Sequence, residues 1–166
     1  AVALVNDDNL RVRTQRFLLY RQVAHTPDRV VAGALQLHPQ RIAHGASAVN
    51  DPRLITQLIE RGITLDLCPT SNVQAGTVLT FADHPLVTLV RAGVPVTINT
   101  DDTTISDITL SQEWLSCIGE LGLTLPELWQ CNMHALAAAF VDEPTRAALR
   151  SSFAAWARPI PELHGL

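Results

Sequence analysis

The sequence predicts an α/β fold built on a parallel sheet. Three observations carry this. Short apolar runs recur at residues 41–45, 63–67 and 94–99, each too brief for a helix and each closing on polar residues. Amphipathic helical patterns stand between them, and Gly62 and Gly93 end those helices just before the next run. Strand, polar tip, helix, glycine and strand follow without a break, which is the order of right-handed βαβ units.

Length and composition set the bounds. At 166 residues, with 47 % hydrophobic and 17 % charged side chains, the chain is of one-domain size and rich enough to bury a core. No linker-like or low-complexity stretch divides it, so residues 1–166 read as a single domain. A net charge of −4 without a basic block gives a nucleic-acid partner no support. Cys68, Cys117 and Cys131 are odd in number and widely spaced, which fits neither a disulfide framework nor a Cys-x-x-Cys metal site. A reducing, cytoplasmic compartment is expected. No apolar run reaches membrane-spanning length, and residues 1–5 lack a basic flank and cleavage site, so a membrane partner is not expected.

Residues 10–23 carry arginines among Phe17, Leu18, Leu19 and Tyr20 and read as helix. Thr26-Pro27-Asp28 opens a helix whose apolar side is Val30, Val31, Ala34, Leu35 and Leu37, stopped by His38-Pro39. After the strand at 41–45, Asp51-Pro52 is an N-cap with proline in the first turn. Leu54, Ile55, Leu58 and Ile59 then share one face. The strand at 63–67 runs into Cys68-Pro69-Thr70-Ser71-Asn72, with a loop to Asp83. His84-Pro85 starts the next helix, with Leu86, Leu89 and Val90 inward. Beyond the strand at 94–99 the chain turns helical: 110–118, then Thr124 with Glu127 as a capping box leading to Phe140, then a helix capped by Asp142. Pro159-Ile160-Pro161 ends it.

The chemistry-bearing residues gather at three successive strand tips: His44, then Thr70-Ser71-Asn72, then Asp101-Asp102. Each has an ordinary explanation. A histidine is often packed or capping, Ser-Asn serves turns, and paired aspartates cap helices. Their conjunction at one end of one parallel sheet, where such folds keep their chemistry, points to a single site. Adjacent carboxylates also repel, and a cation or hydrogen-bonding ligand would offset that. His84 reads as a loop or cap residue, His38 and His164 as exposed, and Cys68 as packed rather than nucleophilic.

In order and spacing, Arg41-Ile-Ala-His44-Gly45, Asp51-Pro52, Cys68-Pro-Thr-Ser-Asn72, His84-Pro85-Leu86 and Asn99-Thr100-Asp101-Asp102 together resemble the adenosine deaminase family. The match runs from about Val30 to about Arg150. Asp107-Ile108-Thr109-Leu110 with Glu113-Trp114 is closer to the nucleoside-deaminating branch. The resemblance implies the C-terminal part of a (β/α)8 TIM-type barrel, about three to four βα units, followed by a helical segment. It also implies hydrolytic deamination of adenosine, or a related purine nucleoside, to inosine and ammonia by a zinc-bound water. Residue by residue, Asp101 would be a metal ligand and Asp102 would contact the purine at N7. His44 would orient or deprotonate the water, and Ser71 and Thr70 would line the substrate.

The departures from that family are large. Its His-x-His pair and its His-Ala-Gly-Glu segment, which supply the remaining ligands and the proton-donating glutamate, are absent among the six histidines here. An alignment with a shortened loop would bring His25 into ligand register and make Asp28 a poorer acid. One aspartate and one non-ligating histidine are too few for a catalytic zinc. A whole barrel takes typically about 250 residues, and the chain starts at Ala1 rather than Met, so the domain reads as incomplete at its N-terminal side, with 1–25 unmatched. A missing N-terminal half-barrel, a second copy or residues 1–25 of the chain itself is the expected cover for the open sheet edge. Three functions follow as expectations: deaminase activity once that half is supplied, a non-catalytic purine-binding or assembly module, or a different metal-dependent hydrolase using His25.

Overall fold

The computed structural model describes residues 27–164. The helix read at residues 10–23 and the candidate ligand His25 lie outside them. The order is α1 (Pro27–Leu35), β1 (Arg41–Ala43), a 3-10 turn (Ala46–Asn50), α2 (Pro52–Glu60), β2 (Thr64–Leu67), α3 (Pro69–Gln74), a 3-10 turn (Phe81–Asp83), α4 (Leu86–Arg91) and β3 (Val96–Ile98). Then come α5 (Thr103–Ser106), α6 (Leu110–Gly119), α7 (Leu125–Ala138), α8 (Glu143–Ala157) and a closing 3-10 turn (Pro161–Leu163).

The three strands form one parallel sheet in sequence order, with β2 central. Ala43, Asp66 and Thr97 stand in one row across it. Because side chains alternate along a strand, one face carries Ile42, Leu65, Leu67, Val96 and Ile98, all buried beneath helices. Leu54 and Leu58 of α2 and Leu86, Leu89 and Val90 of α4 join them in one core. The other face is polar, with Arg41, Thr64, Asp66 and Thr97. An unclosed parallel sheet under helices, ending in a helical segment, is the architecture of a truncated (β/α)8-type barrel.

Local chemistry explains the element ends. The Asp51 carboxylate accepts the Arg53 N–H at 2.9 Å at the head of α2. Thr124 and Glu127 form the expected capping box of α7, and Asp142 accepts the Thr145 N–H at 2.9 Å to start α8. Two details differ from the sequence reading. The segment after Cys68 is a six-residue helix rather than a loop, started by Pro69 in its first turn. Ile59 sits at the margin of the buried face and stays 41 % exposed. Among the described residues, no helix is long and apolar enough to cross a membrane.

The polar face is held by one carboxylate. Asp66 on the central strand accepts Arg41 Nε at 3.0 Å and Arg41 Nη2 at 2.8 Å from β1. From β3 it accepts Thr97 Oγ1 at 2.7 Å. Asn99 Nδ2 donates onward to Thr97 Oγ1 at 2.8 Å. The fork-to-carboxylate pairing is the strong form of this contact. At the open edge, Leu65 N–H bonds Pro95 O, so the alternation turns Val96 N–H away from β2. His134 Nδ1 on α7 accepts it at 3.2 Å.

Removing the Asp66 carboxylate strands a part-buried guanidinium and loosens both neighbouring strands. Asp66→Ala is expected to lower unfolding free energy by about 3–5 kcal/mol, with Asp66→Asn losing less. Urea unfolding followed by circular dichroism measures it; a loss below about 1 kcal/mol would show that the clamp does not hold the sheet.

Candidate functional site

The parallel register sends all three strands out at the same end, and the predicted residues meet there. His44 lies one residue past β1, and its backbone N–H extends the ladder by donating to Asp66 O at 2.7 Å. Asp101 lies three residues past β3. Both adopt left-handed backbone, with φ of 60° and 59°, a conformation uncommon for residues with a side chain and one that gathers at functional sites. The glycine after His44 has φ of 80°, and a Cβ there would come within 2.9 Å of Leu65 Cδ2. Gly45 is therefore required both by its dihedral and by its close approach to the core.

The tips turn toward one another. His44 Nε2 is 3.6 Å from Asp101 Oδ2, with both side chains about two-fifths exposed. Ser71 Oγ donates to the same Asp101 oxygen at 2.8 Å. The predicted residues His44, Ser71 and Asp101 are thus brought together. Asp102 does something else as well. Its Oδ1 accepts the N–H groups of Thr104 at 2.9 Å and Ile105 at 3.1 Å, capping α5. The ordinary capping role holds for this aspartate. Thr70 is also engaged: its N–H donates to Glu113 Oε1 at 2.8 Å, and its hydroxyl donates to Glu113 Oε2.

Glu113 and His84, which had no predicted functional role, and Asn72, named at the second strand tip without one of its own, support this arrangement. Glu113 of α6 is fully buried and anchors the head of α3 through Thr70. Asn72, 4 % exposed, lies between two histidines: its Nδ2 is 3.2 Å from His44 Nδ1, and its Oδ1 is 3.0 Å from His84 Nε2. His84, 5 % exposed, receives the Leu86 N–H on Nδ1 at 3.2 Å. The His-Pro pair does cap the following helix, as read from the sequence, but from inside the protein. Burial pushes the His84 imidazole down to about 4, so it is neutral at physiological pH. Cys68 is packed as expected, and its thiol is pushed up to about 12 by burial and by the charges of Asp101, Asp66 and Glu113. It is no thiolate nucleophile.

Among the described residues, no group of three or more His, Cys, Asp or Glu side chains is placed to hold a metal ion. His44 and Asp101 offer two donors, and a catalytic zinc takes three protein ligands. The described residues therefore do not fit the metal that the motif resemblance implies. A cavity of about 660 Å³ lies at the other end of the strands, lined by Thr64, Pro95, His134, Phe140 and Arg146. It is remote from the tips, and the site is assigned to the tips on the chemistry they carry.

Comparison with known proteins shows the family and the fold. Residues 24–156 match the family described as adenosine deaminase. Over 135 residues the chain is 36 % identical to an adenosine deaminase of Yersinia pseudotuberculosis, covering 81 % of this chain and 40 % of that one. Over 134 residues it is 38 % identical to the aminodeoxyfutalosine deaminase of Streptomyces coelicolor, covering 78 % and 35 %. A crystal structure of an amidohydrolase from Burkholderia ambifaria with bound Zn superposes with a TM-score of 0.73 at 30 % identity, covering 82 % and 39 %. An adenine deaminase from Arthrobacter aurescens shares the fold, with a TM-score of 0.76 at 24 % identity, covering 94 % and 51 %. The chain spans about two-fifths of the length of the curated relatives it matches.

The neutral, buried His84 gives the protein an acid sensitivity. Its pKa is depressed on folding from 6.5 to about 4, so its contribution is complete above the unfolded value and is lost as pH falls through the folded one. Between pH 6.5 and 4 the stability of the natural chain is expected to fall more steeply than that of His84→Gln, by up to about 3 kcal/mol. Denaturant titrations at several pH values test this; parallel pH profiles for the two proteins would contradict it.

Proposed function

The chain belongs to the adenosine deaminase family, and we propose that it forms the purine-facing half of a deaminase-type site without a metal centre of its own. On this reading it acts as a purine-nucleoside binding or assembly module. The observation that carries the reading is the donor count at the tips. His44 and Asp101 converge to 3.6 Å, yet among the described residues no further His, Cys, Asp or Glu side chain joins them in a group that could hold a metal. Chemistry that needs a zinc-activated water is therefore not assigned to these residues alone.

The polar rim suits a purine. Asp102 spends Oδ1 on its helix cap and keeps Oδ2 for a ligand. The Ser71 hydroxyl donates to Asp101 and retains lone pairs to accept with. Thr70, held by Glu113, sets the position of Ser71 through the first turn of α3. These three are the proposed nucleoside contacts, with His44 and Asp101 beside the carbon that a deaminase attacks. The three buried free cysteines suit a reducing cytoplasm.

A second reading is favoured by the coverage. The chain corresponds to about two-fifths of its relatives, and it would be the C-terminal part of a barrel whose N-terminal half, a separate segment or a second copy, supplies the other ligands and a proton donor. The complete assembly would then convert adenosine to inosine and ammonia. Among the described residues no further strand pairs with the outer edge of β1 or β3, which supports a need for such cover.

Calorimetric titration of the full chain with adenosine and inosine, in chelator, separates these ideas. Binding is expected with Kd on the order of 1 mM, near −4 kcal/mol. Asp102→Ala should weaken it about tenfold, and ammonia release by the chain alone should be absent. No heat at millimolar nucleoside contradicts a purine-binding half. Ammonia release from adenosine by the chain alone contradicts the absence of an intrinsic metal centre.

A further inference from the structure

The tips contain a line of hydrogen bonds whose direction is set by a backbone amide. The Leu86 N–H can only donate, so His84 Nδ1, 3.2 Å away, must accept and carries no proton. A neutral imidazole then bears its proton on Nε2, which donates to Asn72 Oδ1 at 3.0 Å. With its oxygen so engaged, the Asn72 amide presents NH2 to His44 Nδ1 at 3.2 Å. His44 Nδ1 must accept, because the opposite tautomer would set N–H against N–H. The proton of neutral His44 is left on Nε2, the nitrogen facing Asp101 Oδ2.

We propose that Asn72 and His84 are positioning residues that hold His44 as its Nε2–H tautomer, so that it meets the Asp101 side of the site as a hydrogen-bond donor. Both are buried to within a few per cent and linked to each other, so the amide cannot turn over without losing two contacts. The burial that keeps His84 neutral keeps the direction of the line fixed. In this tautomer the Nε2–H can donate to an acceptor beside Asp101 and cannot take up a proton there. The inference deepens the functional reading above and rests on it for the importance of His44. The tautomer itself is measurable without nucleoside or metal.

The test is long-range 1H–15N correlation of the histidine rings in the full, 15N-labelled chain at about pH 8, above the ordinary histidine range. His44 is assigned by its loss in His44→Gln. The expected result is a protonated Nε2 and unprotonated Nδ1 for both His44 and His84. Asn72→Asp keeps the shape but replaces NH2 by an acceptor, so the His44 proton should move to Nδ1. His84→Gln, which retains a donor at the Nε2 position, should leave His44 unchanged, whereas His84→Leu should give a mixture of tautomers. An Nδ1–H ring on His44 in the natural chain overturns the proposal, whatever the variants do. So does an unmoved His44 tautomer in a folded Asn72→Asp protein. Failure of nucleoside binding with the expected tautomers would instead count against the functional reading alone.

Discussion

The carboxylate of Asp66 is the constraint on which the rest depends. It sits on the central strand, in the row shared with Ala43 and Thr97, and bonds side chains from both neighbours. A parallel sheet of three short strands has few ladder bonds, and its register is set largely by which face is buried. Apolar side chains on the helix-covered face and the Asp66 clamp on the other choose the same register. That agreement places His44, Ser71 and Asp101 within reach of one another.

The site shows how strand ends become chemistry. Parallel strands deliver their C-terminal ends together, but the residues that follow must still turn inward. His44 and Asp101 do so through left-handed backbone, at a cost on the order of 1–2 kcal/mol each. The packing around them offsets that cost. Glu113 fixes the head of α3, which carries Ser71 and Asn72. Asp102 fixes the head of α5, directly after Asp101. Two short elements are thus pinned around two part-exposed groups, leaving those groups the freedom to face a ligand.

Much of this was legible in the sequence because it rests on local signals. Asp51-Pro52, Thr124 with Glu127, and Asp142 announce helix starts by chemistry within three residues. Strand tips could be located because the helix and strand periods alternate so regularly. What stayed hidden depends on distance in the chain. Asn72 meets His84 across 12 residues and His44 across 28, and Glu113 meets Thr70 across 43. A His-Pro pair reads as a helix start whether or not it is buried, and a glutamate inside an amphipathic helix reads as solvated. The short α3 escaped because six residues with proline at the front show no periodicity. The motif resemblance already gave Asp101 and Asp102 different roles; the structure adds that Asp102 also caps a helix.

The central claim is that this chain presents the His44 and Asp101 side of a deaminase-type site without holding the metal. Equilibrium dialysis of the full chain against zinc, with metal counted per chain, tests it most directly. The account predicts sub-stoichiometric, weakly held zinc that is unaffected by Asp101→Ala. One tightly bound zinc per chain, lost on Asp101→Ala or His25→Ala, would contradict it and return the chain to the metal-dependent hydrolases in its own right.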